Sequence, residues 1–195
     1  GALEYLHTGR SGKASITSPA TLQRICQQTL DAYVWRVLGQ PPPADETALE
    51  TLLPTLVPDR RQQLVNQGLP EVKILDPACG SGRFLVMAFQ RLVQLYYLAG
   101  QSPGPDNPDY GRWHNRSRGE LPSSRVRSAW DIGYHILTHN LYGVDLDPVA
   151  VETTQLQLWL ALLSLVETPA ELIPLPDLDF NITPGNALVG FIRVD

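Results

Sequence analysis

The stretch Asp76-Pro77-Ala78-Cys79-Gly80-Ser81-Gly82-Arg83-Phe84-Leu85 decides the fold class. Just before it, Val72-Lys73-Ile74-Leu75 is a short apolar run that reads as a buried strand. Just after it, Phe84 to Leu98 carries Leu, Val, Met and Phe at helical spacing. Strand, glycine turn and helix open a doubly wound α/β unit. Glycines at 80 and 82 let the backbone bend tightly and meet a ligand with no side chain in the way. The amides there lead into a helix N-terminus, which favours a carboxylate or a phosphate. A tight turn with no ligand accounts for two glycines, but the full string argues for more. A dinucleotide fits poorly, because Gly80-x-Gly82-x-x-Leu85 lacks the third glycine of that fingerprint. Asp76, at the strand's end, can hold an ammonium group. A ligand with both an amino group and a carboxylate suits this turn better than a pyrophosphate. An amino-acid tail on a nucleoside has that description.

Working outward, Ser18 and Pro19 mark a helix start, and Leu22, Ile25, Cys26, Leu30, Tyr33, Val34 and Val37 predict a helix over 19–38. Gln40-Pro41-Pro42-Pro43 stops it, and a second helical stretch over 45–67 is broken by Pro54 and Pro58 into two shorter helices. Residues 100–127 form a long loop without periodicity. A helix over 128–139, a strand at Leu141-Tyr142-Gly143-Val144 and a helix over Val149–Val166 follow. The last of these is apolar on most of its surface and is expected to be sandwiched. Asp179-Phe180-Asn181-Ile182 is a third strand candidate. Asp145, at the end of the second strand, can accept both hydroxyls of a ribose, whereas Asp147 before Pro148 reads as a helix N-cap. The acid lies roughly 60 residues after the glycines rather than about 20, and the long loop with its following helix accounts for the excess. The expected class is α/β: a doubly wound, mostly parallel sheet, with an arm and helical region over 1–70 and an α/β domain over 71–195.

Composition narrows the function. The chain has 195 residues, of which 43% are apolar and 18% charged, with a net charge of −5. A free-standing nucleic-acid binder is usually basic, so any main electrostatic grip on DNA lies elsewhere. Cys26 and Cys79 form no disulfide framework and have no metal-ligand spacing. No apolar run approaches a bilayer span, and Gly1 to His7 lacks a signal-peptide layout, so a cytoplasmic location with no membrane contact is expected.

Taken in order, these strings resemble the gamma-class adenine-N6 DNA methyltransferases, in the branch of combined restriction–modification polypeptides and phage-defence enzymes. Asp76–Leu85 is similar to motif I, and Asn140 to Asp145 through Trp159-Leu160 is similar to motif II and its helix. Leu178-Asp179-Phe180-Asn181-Ile182 with Gly185-Asn186-Ala187-Leu188-Val189-Gly190 is similar to motif III, and Ile16-Thr17-Ser18-Pro19 partly matches motif X. The resemblance implies a Rossmann-like fold that binds S-adenosyl-L-methionine. It implies that Asp76 meets the methionine amino group, that the backbone of Ala78, Cys79, Gly80 and Gly82 lines the tail, and that Asp145 holds the ribose. Leu146 would pack on the adenine, Asn186 would bond its amino group where the family often has Asp, and Ser18 would offer a hydroxyl to the carboxylate. Helix capping explains Ser18 equally well.

The family's catalytic motif, Asn/Asp-Pro-Pro-Tyr/Phe, grips a flipped base and occurs nowhere in this sequence. Asn107-Pro108-Asp109-Tyr110 sits between motifs I and II in turn-rich sequence and reads as turn chemistry. The expectation is therefore an excised cofactor-binding part, inactive alone, with no catalytic or metal-binding residue of its own. DNA and restriction or specificity subunits are the implied partners. Arg112, Trp113, His114, Arg116, Arg118, Arg125 and Arg127 set basic residues beside aromatics, as nucleic-acid contacts do, although such a run is more often a solvated or disordered loop. Two other readings use the same residues: a non-catalytic cofactor-binding module for assembly, and an N-methyltransferase acting on protein or a small molecule.

Overall fold

The computed structural model describes residues 17–43, 48–99, 129–166 and 174–189. The expected arm, the 100–127 loop with its arginines and the Asn107 string lie outside the described residues, apart from the arm's last two positions. Helix α1 (Pro19–Val37) begins with Pro19 in its first turn and Ser18 extended before it, the Ser18 side chain accepting from the Thr21 amide at 3.2 Å. The prolines then cut the next stretch into more pieces than the two expected. These are α2 (Ala48–Leu52), a 3-10 turn (Leu53–Thr55), α3 (Pro58–Gln63), a run of π turns (Leu64–Gly68) and the single turn α4 (Leu69–Glu71). Pro54, Pro58 and Pro70 each sit in the first turn of a piece, where a missing N–H costs nothing.

Three short strands follow: β1 (Ile74–Asp76), β2 (Leu141–Asp145) and β3 (Ile182–Pro184). Both pairings are parallel and the order is β1-β2-β3, with Asp76 opposite Gly143 and Gly143 opposite Ile182. Helix α5 (Arg83–Leu98) connects out of β1; α6 (Ala129–His135) and π turns over Ile136–Asn140 lead into β2; α7 (Pro148–Leu163) leads toward β3. Parallel strands stepping outward with helical crossovers are one half of a doubly wound arrangement. A continuous core joins α1, the middle pieces and the sheet through residues such as Val34, Leu53, Phe89, Leu92, Trp130 and Leu141.

The second strand begins at Leu141 as expected, whereas the first and third start later than sequence pattern indicates. Pairing in β1 begins at Ile74 rather than Val72, because the buried Asn140 side chain donates to the Leu69 carbonyl at 3.0 Å and the Val72 carbonyl at 2.7 Å. The third strand begins at Ile182, because Asp177 accepts from the Asp179 amide and the amides of Asn181 and Ile182 turn back to Leu178. The α7 expectation needs correction. Its buried residues, Val151, Thr154, Leu158 and Leu162, form a single stripe, while Val149, Leu156 and Leu160 are more than half exposed among the described residues.

Helix α5 also carries a buried charge. Arg91 donates through Nε to Asp31 of α1 at 2.9 Å and through Nη1 to Glu50 of α2 at 2.8 Å. Its Nη2 forms the second arm of the fork onto Asp31. A planar guanidinium suits this two-pronged geometry, and the fork fixes three helices relative to one another.

Candidate functional site

The glycine turn rises from the C-terminal end of β1, and the acid on β2 stands directly against it. Gly80 donates its amide to Asp145 Oδ2 at 2.8 Å, and Cys79 donates to the Val144 carbonyl at 2.9 Å. Two places separated by sixty-five positions thus share one hydrogen bond. Asp145 is a junction of three segments. Its Oδ1 accepts from the Asp147 amide at 3.0 Å, and its carbonyl accepts from Gly185 at 2.8 Å, just past β3. That last bond draws the loop carrying Asn186 to the same end of the sheet.

The glycines serve different needs. Gly80 has φ +54° and no atom within 4 Å of where a Cβ would be, so its surface is open to an incoming group. Gly82 has φ +78°, and a Cβ there would come within 2.8–3.0 Å of Thr154, its Cα included. The first is clear for approach; the second is closed by packing. No side chain caps the start of α5, so amides of its first turn offer donors to an anion. Most amides of the turn itself have partners inside the protein: Ala78 bonds Asp76 Oδ1 at 3.1 Å and Gly82 bonds the Cys79 carbonyl at 2.8 Å.

Two carboxylates therefore face the turn. Burial pushes the Asp76 carboxyl above its ordinary range; the Ala78 amide opposes this, and the neighbouring Asp145 adds to the rise. A cation brought between these acids would relieve that repulsion. Burial likewise raises the Cys79 thiol, leaving it a neutral packing group rather than a nucleophile. Leu146, next to the acid, is 72% exposed, an apolar surface at the rim of the site. Asp147 caps α7 by accepting from the Val149 amide at 3.0 Å, the role its position before Pro148 indicates.

Ser18 and Asn186 are less directly engaged. The Ser18 hydroxyl caps α1. Cys26 of α1 lies opposite Phe84 and Asp31 opposite Arg91, so α1 and α5 run in the same direction. Ser18, eight residues before Cys26, thus lies about 12 Å back along the axis, toward the end of α5 that carries the turn. Asn186 is exposed and its Oδ1 accepts from the Leu188 amide at 2.9 Å. A separate groove of about 500 Å³ runs between α1, α5 and β1, lined by Leu30, Tyr33, Ile74 and Phe84 among others. It follows the strand's flank and does not open over the turn. Sequence reading missed Thr154, fully buried on α7, whose hydroxyl donates to the Gly80 carbonyl at 2.9 Å. A polar residue in an apolar helical stripe was its only signal.

Residues 57–189 match the family model described as the MmeI DNA-methyltransferase domain. The chain belongs to that family. This MmeI-type domain is 36% identical over 132 residues to a Methanocaldococcus jannaschii protein named for a type II restriction enzyme and methyltransferase. It is 35% identical over 95 residues to the adenine-specific methyltransferase PglX of Streptomyces coelicolor. The matches cover 64% and 48% of this chain, but only 9% and 6% of those two proteins. No solved structure matches the chain. Among the described residues no helix is long and apolar enough to cross a membrane, and no group of His, Cys, Asp and Glu is arranged to hold a metal ion.

Proposed function

We propose that this MmeI-type domain is the S-adenosylmethionine-binding part of an adenine-N6 DNA methyltransferase of a restriction–modification or phage-defence system. The observation that carries the reading is the 2.8 Å hydrogen bond from the Gly80 amide to Asp145. It brings an open glycine surface, two acids and an exposed leucine to one end of a parallel sheet, which is where doubly wound folds bind nucleosides. The family is that of a DNA-methyltransferase domain and one relative is named adenine-specific, which together support DNA adenine as the acceptor.

The residues fit the group. Asp76 faces the ammonium of the amino-acid tail, whose positive charge offsets the repulsion from Asp145. The bare backbone at Gly80 lets the tail approach, and the uncapped start of α5 offers amides to its carboxylate. Asp145 keeps lone pairs for the ribose hydroxyls beside the two amides it already accepts. Leu146 covers one face of the adenine, and Asn186, on the loop tied to Asp145, reaches its edge. When bound, S-adenosylmethionine supplies a methyl group activated by a sulfonium. The chain's own work is to orient that methyl and exclude alternatives. With a net charge of −5, the main grip on DNA belongs to other surfaces of the protein.

Titration calorimetry tests this. The chain is expected to bind S-adenosylmethionine with Kd on the order of a micromolar, and Leu146→Ala, at an exposed position, should weaken it about fivefold with Tm unchanged. Asp145→Ala should abolish binding. Binding of NADH in place of S-adenosylmethionine would sink the reading.

A further inference from the structure

Thr154 breaks a local habit. Thr29, Thr138 and Thr153 all turn their hydroxyls back to a carbonyl four residues earlier in their own helix, as helical threonines commonly do. Thr153, the immediate neighbour, bonds Val149 at 2.7 Å. Thr154 instead donates across the fold to the Gly80 carbonyl at 2.9 Å, from a position with 0% exposure. A buried hydroxyl needs a partner, and here the partner is the turn that faces the proposed ligand.

The consequence follows from the planarity of the peptide unit. In a trans peptide the C=O and the next N–H point in opposite directions. With the Gly80 carbonyl held inward against α7, the Ser81 N–H is directed outward, away from the helix, and Ser81 itself is exposed. Gly80 is held at its amide by Asp145 and at its carbonyl by Thr154. Without the second restraint, glycine's wide conformational range lets the Gly80–Ser81 peptide flip and turn a carbonyl toward an incoming anion.

We propose that Thr154 is a positioning residue, which fixes the Gly80–Ser81 peptide so that the Ser81 amide serves as an outward donor to the carboxylate of the bound amino-acid tail. The inference rests on the S-adenosylmethionine reading and specifies how one end of that ligand is recognised. Thr154 touches no ligand atom itself.

The test compares two ligands that differ only in the carboxylate, S-adenosylmethionine and decarboxylated S-adenosylmethionine. They are titrated into the wild-type chain, Thr154→Val and Thr154→Ser. Valine keeps the volume and removes the hydroxyl; serine keeps the hydroxyl. Thr154→Val is expected to weaken S-adenosylmethionine about tenfold, the worth of one charge-assisted hydrogen bond, and to leave the decarboxylated ligand unchanged. Thr154→Ser should restore the difference. Amide NMR on the ligand-free proteins is expected to show Gly80 and Ser81 shifted in Thr154→Val and near wild type in Thr154→Ser. Equal weakening of both ligands, or unshifted Gly80 and Ser81 amides in the valine variant, would overturn the assignment while leaving the cofactor reading intact. Absence of binding to the wild type would instead overturn the cofactor reading and the ligand half of this inference together.

Discussion

Gly80 and Gly82 look equivalent in the sequence and are not equivalent in the fold. Alanine at Gly82 must adopt φ +78° and also displace Thr154, including its backbone. Left-handed strain and overpacking add, so Gly82→Ala is expected to cost about 2–5 kcal/mol in urea denaturation. Gly80→Ala meets only the backbone strain, at φ +54° in open space, and should cost about 1–2 kcal/mol. A similar loss for both variants would mean that the Thr154 contact yields easily. The turn and its acids were legible beforehand because their signals are local: glycines, an acid at a strand's end, a proline after an N-cap. Thr154 was not legible, because its partner lies 74 positions away and a polar residue in an apolar stripe does not name that partner.

At the scale of elements, two asparagines set where strands begin. Asn140, fully buried, holds the Leu69 and Val72 carbonyls, and Asn181 donates to the Leu141 carbonyl at 3.0 Å and the Thr138 carbonyl at 3.2 Å. Both sit just before a strand, at the end of the sheet away from the glycine turn. Asn140→Ala strands two inward carbonyls and is expected to cost about 2–4 kcal/mol by urea denaturation, with Asn140→Asp worse because its oxygens face acceptors. A cost below ~1 kcal/mol would show that water replaces the side chain. The same residues explain why element identity was readable and boundaries were not. Apolar runs announced β1 and β2, while the third candidate shares only Ile182 with β3, and a side-chain amide across the sheet decides which carbonyl is free to pair. Helix α7 misled for another reason: apolar composition shows that a surface can be covered, and here one stripe is.

Over the whole molecule, the helical region and the α/β part are joined by Arg91. Its fork reaches Asp31 and Glu50, so a single guanidinium ties α1 and α2 to α5, the helix that follows the glycine turn. Removing it leaves Asp31 buried and uncompensated. Arg91→Met is therefore expected to cost about 3–5 kcal/mol, and adding Asp31→Leu should recover much of that loss. The check is a double-mutant cycle by urea denaturation, and simple additivity would show that the two side chains do not act as a pair. Sequence pattern gave no hint of this connection, since a lone arginine on an apolar helix face names no partner. Asp145 carries a last consequence. Its side chain holds the Gly80 and Asp147 amides in place, so the carboxylate has a folding role apart from any ligand. The same aspartate in a distant cousin would therefore certify this junction of turn and strand, and would say nothing of what binds there.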